Sequence, residues 1–174
     1  MTLSILLVLW AASAPAPVRP ASPPPQTPDT TDRARLVDAR AALDDSLTGV
    51  RRAAVRFASD LSTASAELVL ARAREVQGRC GAAVPAADSL ARVLGARTYA
   101  AAAADEQQAA RGEVVSLRRA LARCATQFDP GARPDVPRAD SLRAWGPYRL
   151  GQLEQSTRRY EAALAAFRRK SRLI

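Results

Sequence analysis

Few residues in this chain could do chemistry. It has two cysteines, Cys80 and Cys124, a single lysine, Lys170, and no histidine. Without histidine, the commonest general acid–base and the commonest metal ligand are both missing. Two cysteines fall short of the usual four-ligand zinc set. Lys170 is the only amine a serine could pair with. It stands in the run Arg168-Arg169-Lys170-Ser171-Arg172, where solvation leaves little desolvation to depress an amine pKa. No Gly-rich phosphate loop and no nucleophile elbow occurs. The expectation is a protein without catalysis, metal or cofactor.

The cysteines carry the one covalent option. In an oxidising compartment an even pair favours a disulfide. A Cys80–Cys124 bond would close a loop of about 45 residues and stabilise by about 4 kcal/mol on the chain-entropy model. Both residues also lie on apolar lines, Cys80 following Val69, Ala73 and Val76, which equally suits two buried thiols. A bond between two copies of the chain is the third reading. A straight helix from Pro85 to Cys124 would span roughly 60 Å, so an intramolecular bond requires the chain to fold back around Gly95.

The elements that must position these residues are helical. Hydrophobic residues make up 48% of the 174 but aromatics only 5%, so small alanine dominates, and alanine loses no side-chain entropy in a helix. β-branched and aromatic residues are too sparse for a sheet. From a capping Asp29 or Thr30, an apolar line runs Leu43, Leu47, Val50, Ala54, Phe57, Leu61, Ala64, Leu68, Ala71, the alternating spacing of a coiled-coil-like seam. Leu36 and Ala39 extend it upstream. This predicts one helix over about 30–78, continuing across Gly49. Gly78, Gly81 and Pro85 then predict a turn or strong kink, with a short helix over 86–94. Ala103, Ala110, Val114, Leu117, Leu121, Cys124 and Phe128, with a gap at Gln107, predict a helix over 98–127. Leu150, Leu153, Thr157, Tyr160, Leu164 and Phe167 mark a last one over 138–171. The fold class expected is all-α, an elongated helical bundle or a set of coiled-coil-like hairpins.

Ahead of residue 29 the chain reads as an address and a spacer. Leu3–Ala12 is an apolar run of signal-peptide length, too short to span a bilayer, followed by the small residues Ala11, Ser13 and Ala14 around a cleavage point. No Lys or Arg precedes it, so an uncleaved anchor stays open as the alternative. Residues 1–14 are thus assigned to the signal peptide or anchor, and 15–28 to a linker carrying seven of the twelve prolines, which favours extended conformations. Residues 29–174 form the helical domain. The expected location is periplasmic or extracellular.

The segment YRLGQLEQSTRRYEAALAAFRRKS resembles a tetratricopeptide repeat, a pair of antiparallel helices that stack into protein-binding surfaces. Leu150 and Gly151 match the Leu-Gly of its first helix, where glycine permits close approach. Tyr160, Ala163 and Phe167 match the aromatic and small packing positions of its second. The segment departs from the pattern at Glu154, Arg158 and Lys170, where the repeat has tyrosine, a turn glycine and alanine. The string Ala-Asp-Ser-Leu at 87–90 recurs at 139–142. The resemblance implies a C-terminal helical hairpin over about 147–172 and a protein-binding role, with Tyr160 and Phe167 as the side chains whose replacement would abolish binding.

Charge supplies the competing reading. The formal net charge is +9, from 26 basic and 17 acidic residues. From Pro147 onward, seven basic residues (Arg149, Arg158, Arg159, Arg168, Arg169, Lys170 and Arg172) face two acidic ones, Glu154 and Glu161. Basic residues at a helix C-terminus complement the helix dipole. As a surface, Arg158, Arg159, Arg168, Arg169, Lys170 and Arg172 could hold an anionic envelope surface or an acidic protein. Nucleic acid fits poorly with export, and no aromatic-interleaved recognition module is present. Two functions follow as expectations. One is an exported helical adaptor that binds another protein. The other is a basic, envelope-associated coiled-coil protein that binds anionic surfaces or unfolded clients.

Overall fold

A computed structural model describes residues 30–129 and 136–171. The segments assigned to the signal peptide or anchor, 1–14, and to the proline-rich linker, 15–28, lie outside the described residues, as do the capping candidate Asp29 and Arg172. Within them the chain forms four helices, α1 (Thr30–Asp60), α2 (Ala66–Ala96), α3 (Ala104–Gln127) and α4 (Val136–Ser171), with a 3-10 turn at Ala101–Ala103 before α3. The all-α expectation is met.

Sequence-adjacent helices pack against each other in turn, α1 on α2, α2 on α3 and α3 on α4, and α4 also reaches α2 across the bundle. The α1 and α4 backbones stand farther apart than these pairs, and side chains bridge them instead. Arg51 meets Glu161 at 2.6 Å, Tyr160 meets Asp44 at 3.1 Å, and Arg143 meets the Leu61 carbonyl at 3.0 Å. Residue numbers rise on α1 as they fall on α4, so the pair is antiparallel and the bundle runs up-down-up-down.

The first apolar line buries Leu36, Ala39, Leu43, Leu47, Val50 and Phe57 on α1, with Ala53 buried where the line had Ala54, which is half-buried. It does not continue as one helix to 78. The chain turns at 61–65, where Ser65 caps α2 by accepting from the Leu68 amide at 3.3 Å. Arg143 of α4 pins this turn through the carbonyls of Leu61 and Ala64. The seam spacing passes through the turn without a break, and only the Ser/Thr-rich composition of Ser62, Thr63 and Ser65 marked a cap. Beyond it the buried line shifts phase to Val69, Ala73, Val76, Cys80, Ala83, Ala87, Leu90 and Leu94, leaving Leu68 40% exposed.

Nor does the chain turn at Gly78, Gly81 and Pro85, all of which lie inside α2. An interior proline costs about 3 kcal/mol, but Pro85 is on the exposed face, where its ring displaces no core side chain. The buried residues on either side, Cys80, Ala83, Ala87 and Leu90, hold the helix across it. The predicted short helix 86–94 is therefore the end of α2, and the fold-back follows Ala96. Gln107, the gap in the α3 line, is buried there. Its Oε1 accepts from the Tyr99 amide at 2.9 Å, and its Nε2 donates to the carbonyls of Leu94, at 2.8 Å, and Arg97. One side chain thus satisfies the end of α2 and the loop after it. Arg97 in turn meets Asp32 of α1 at 2.7 Å.

With that fold-back in place, the sulfurs of Cys80 and Cys124 lie at disulfide distance, with Cα atoms 5.9 Å apart. They tie α2 to α3 where small residues bring the two helices close: an added Cβ at Gly81 would stand 3.8 Å from that of Ala125. At one end of the bundle an aromatic layer stacks edge to face, Phe57 on Phe128 at 5.3 Å and Phe128 on Trp145 at 5.5 Å.

The predicted hairpin over 147–172 is not formed. Residues 147–171 belong to the uninterrupted α4, and Arg158, a good helix former, occupies the position where the repeat turns on glycine. Gly151 makes no close approach, since a Cβ there would have no neighbour within 4 Å. The close approach belongs to Gly146, over which the Phe57 ring lies.

Candidate functional site

The loose pairing of α1 and α4 leaves a groove between them of about 450 Å³. Its α1 wall is built from Leu47, Val50, Ala54, Val55 and Ala58, and its α4 wall from Leu150, Gly151, Leu153 and Thr157. Val55 sits off the buried seam and is 68% exposed, the most exposed of the large apolar side chains on the described surface. Leu150 is half-buried and Gly151 exposed, so the α4 wall is low and the groove is open to solvent. Thr157 is buried and donates to the Leu153 carbonyl at 3.0 Å, leaving no unpaired proton in the apolar floor. From Leu47 to Ala58 the groove follows three turns of α1, or about 16 Å at 1.5 Å per residue.

Ion pairs close one end. Arg51 is hydrogen-bonded to Glu161 at 2.6 Å and lies 3.8 Å from Glu154, and that contact with Glu161 holds its pKa above the ordinary value. Beyond it, the Tyr160 hydroxyl donates to Asp44 at 3.1 Å, and Asp44 also pairs with Arg40 at 3.2 Å. Burial first, and then the Asp44 charge, pushes the Tyr160 hydroxyl well above the usual phenol range. The Arg51–Glu161 and Tyr160–Asp44 contacts join α1 to α4 and act as a clamp. Among the described residues, no group of three or more Cys, Asp or Glu side chains is arranged to hold a metal ion.

The residues singled out from sequence are distributed differently from the expectation. Tyr160 and Phe167 are fully buried in the core, with no surface to offer a partner, and Ala163 is half-buried against it. Leu150 and Gly151 do reach the groove. The basic run does not form one patch. Arg158 pairs with Glu154 at 3.1 Å and Lys170 with Glu106 of α3 at 2.7 Å. Arg168 faces α1 beside Arg40 and Asp44, while Arg159 and Arg169 are exposed. Successive positions on a helix are about 100° apart, so a run of neighbours in sequence is spread around the axis. Val55 carried no signal in sequence beyond being an apolar residue off the seam.

No protein-family model, curated protein sequence or solved structure matches the chain.

Proposed function

We propose that this protein is an exported, non-catalytic adaptor that binds a partner by receiving an amphipathic helix in the groove between α1 and α4. The observation that carries this reading is the open apolar trough itself, with Val55 exposed on its rim. Three turns of groove suit a helix presenting apolar residues at i, i+3 or i+4 and i+7. The α1 side of the rim bears Arg51, whose charge is already met by Glu161 and Glu154, so the apolar stripe of the partner helix carries the recognition. Export is supported by two buried cysteines brought to bonding distance, an arrangement typical of oxidising compartments. No described helix is long and apolar enough to cross a membrane.

The second reading, a basic protein that holds anionic surfaces or unfolded clients, rests on the net charge and on the exposed Arg159 and Arg169. One experiment separates the two. A photo-crosslinking amino acid is placed at position 55 of the full chain in native envelope extract, and Val55→Asp and Arg159→Gln/Arg169→Gln variants are compared at low and moderate salt. The adaptor reading expects a crosslink to an amphipathic helix, retained at moderate salt and lost in Val55→Asp. Capture that survives Val55→Asp but disappears with salt or with the arginine replacements discards the groove in favour of charge-driven binding.

A further inference from the structure

On the other side of α1, where it packs on α2, lies a second and very different recess. It has a volume of about 380 Å³, and its lining includes Asp45, Gly49, Arg52 and Arg56 of α1 and Arg79 of α2. Three guanidiniums converge there. Arg56 is hydrogen-bonded to Glu75, whose carboxyl is held below its usual range first by Arg56 and then by Arg72. Arg52 and Arg79 have no ion-pair or hydrogen-bond partner among the described residues. Arg52 and Arg56 are one helical turn apart on the same face, a like-charge arrangement that costs the helix a few tenths of a kcal/mol. Some surface arginines of this bundle are neutralised across helices, as Arg72 is by Asp60 and Arg118 by Asp88. Here two are left facing a common space.

Gly49 forms the floor of that space. A mid-helix glycine is destabilising relative to alanine, and the fold gives no steric reason for it. A Cβ at position 49 would meet only the Arg79 side chain, at 3.6 Å from Cδ and 3.9 Å from Nη1, which is ordinary contact distance. The missing side chain instead leaves a notch directly beside the Arg79 guanidinium. Asp45, the one acidic group in the lining, is one turn from Gly49, about 6 Å along the axis, and two turns, about 10 Å, from Arg52. With Arg56 paired to Glu75, the positive end of the recess is the Arg52–Arg79 end.

We propose that this notch is an anion-binding site for a phosphoryl group, with Arg79 and Arg52 as its two donors, Arg56 as a supporting charge and the Gly49 notch as its seat. Planar guanidiniums from two helices can each give paired N–H donors to the oxygens of one tetrahedral anion. The site is independent of the α1/α4 groove, and either can fail without the other. A soluble phosphate ester and a phospholipid headgroup present the same chemistry to it.

The test uses the full chain at constant ionic strength. Inorganic phosphate is titrated against it, following the Gly49 amide and the arginine Nε–H signals by NMR, and a parallel arm measures flotation with phosphatidylglycerol vesicles. The expected result is saturable phosphate binding that weakens about tenfold in Arg52→Gln and in Arg79→Gln. It should be unchanged in Arg119→Gln, a control at an exposed arginine on α3. Gly49→Ala provides the check against misfolding. It should raise the melting temperature by about 3 °C, as an interior helix position gains from alanine, and still weaken phosphate binding about tenfold by filling the notch. Vesicle binding lost in Arg79→Gln assigns the phosphoryl group to a lipid headgroup. Phosphate binding without vesicle binding assigns it to a soluble ester. The proposal is overturned by non-saturable shifts, by equal weakening in Arg119→Gln, or by a Gly49→Ala protein that binds phosphate as well as the parent.

Discussion

Replacing Gly146 by alanine tests whether the aromatic end of the bundle is as tightly determined as its geometry implies. In an isolated helix this change stabilises by about 0.5–1 kcal/mol. Here the added Cβ would stand 2.7 Å from Cε1 and 2.9 Å from Cζ of Phe57, against the 3.5–4.0 Å of a normal carbon contact. The ring must move by about 1 Å. It is 1% exposed and meets Phe128 edge-on at 5.3 Å, and Phe128 is itself backed by Trp145 at 5.5 Å, so it has nowhere to go without moving its neighbours. Overpacking of this kind costs about 1–3 kcal/mol. The net expectation is a loss of about 1 kcal/mol for Gly146→Ala, read as a lower urea midpoint by far-UV circular dichroism. In a Phe57→Leu background the overlap disappears and the same change becomes stabilising by about 1 kcal/mol, a coupling of about 2 kcal/mol in the double-mutant cycle. A Gly146→Ala protein more stable than the parent, or an identical effect in both backgrounds, would refute the close approach of α1 and α4 at this layer.

Two further outcomes follow from the clamp and the cysteines. Tyr160→Phe removes the hydrogen bond to Asp44 and is expected to cost about 1 kcal/mol near neutral pH. Burial and Asp44 raise the Tyr160 pKa above its ordinary value of 10.0, so the unfolded chain ionises first; the stability is intact below about pH 10 and is lost as pH rises toward the folded value. The urea midpoint of the parent should therefore fall more steeply above pH 10 than that of Tyr160→Phe, and parallel curves would refute the assignment. Reduction of the Cys80–Cys124 pair should lower stability by about 4 kcal/mol for a loop of this length, with the unreduced chain running as a monomer on a non-reducing gel. A disulfide-linked dimer, or a urea midpoint insensitive to reductant, would contradict the intramolecular link.

The helical character of this chain was legible residue by residue. Alanine-rich composition and threefold–fourfold apolar spacing favour helix, and the stripes on α3 and α4 are buried as the spacing predicts, save for the half-buried Leu150. The gap at Gln107 was visible as well, but its use was not: a polar residue on an apolar stripe shows only that something must satisfy it, and its partners come from a loop that does not exist until α2 and α3 fold back. Spacing also could not locate the first turn, because the seam carries through 61–65 in register while Ser65 and Arg143 end one helix and secure the next.

What the tertiary structure alone decided is which surfaces are left over. Tyr160 and Phe167 are aromatic in sequence and would serve binding or packing equally well; packing of α4 into the bundle consumed both. Arg168, Arg169 and Lys170 are neighbours in the chain, yet helical geometry sends them toward different helices. Conversely, Val55 and Leu150 are 95 positions apart, beyond the reach of any local pattern, and they become two walls of one groove only because α1 and α4 lie antiparallel with side chains bridging the gap between their backbones. Arg52 and Arg79 come to share a recess by the same route, across the α1–α2 packing. A sequence fixes periodicity, and so the face each helix buries, because that depends on neighbours three and four residues away. The choice of which exposed residues meet depends on how whole helices are apposed, and that is set by the sum of packing across the bundle.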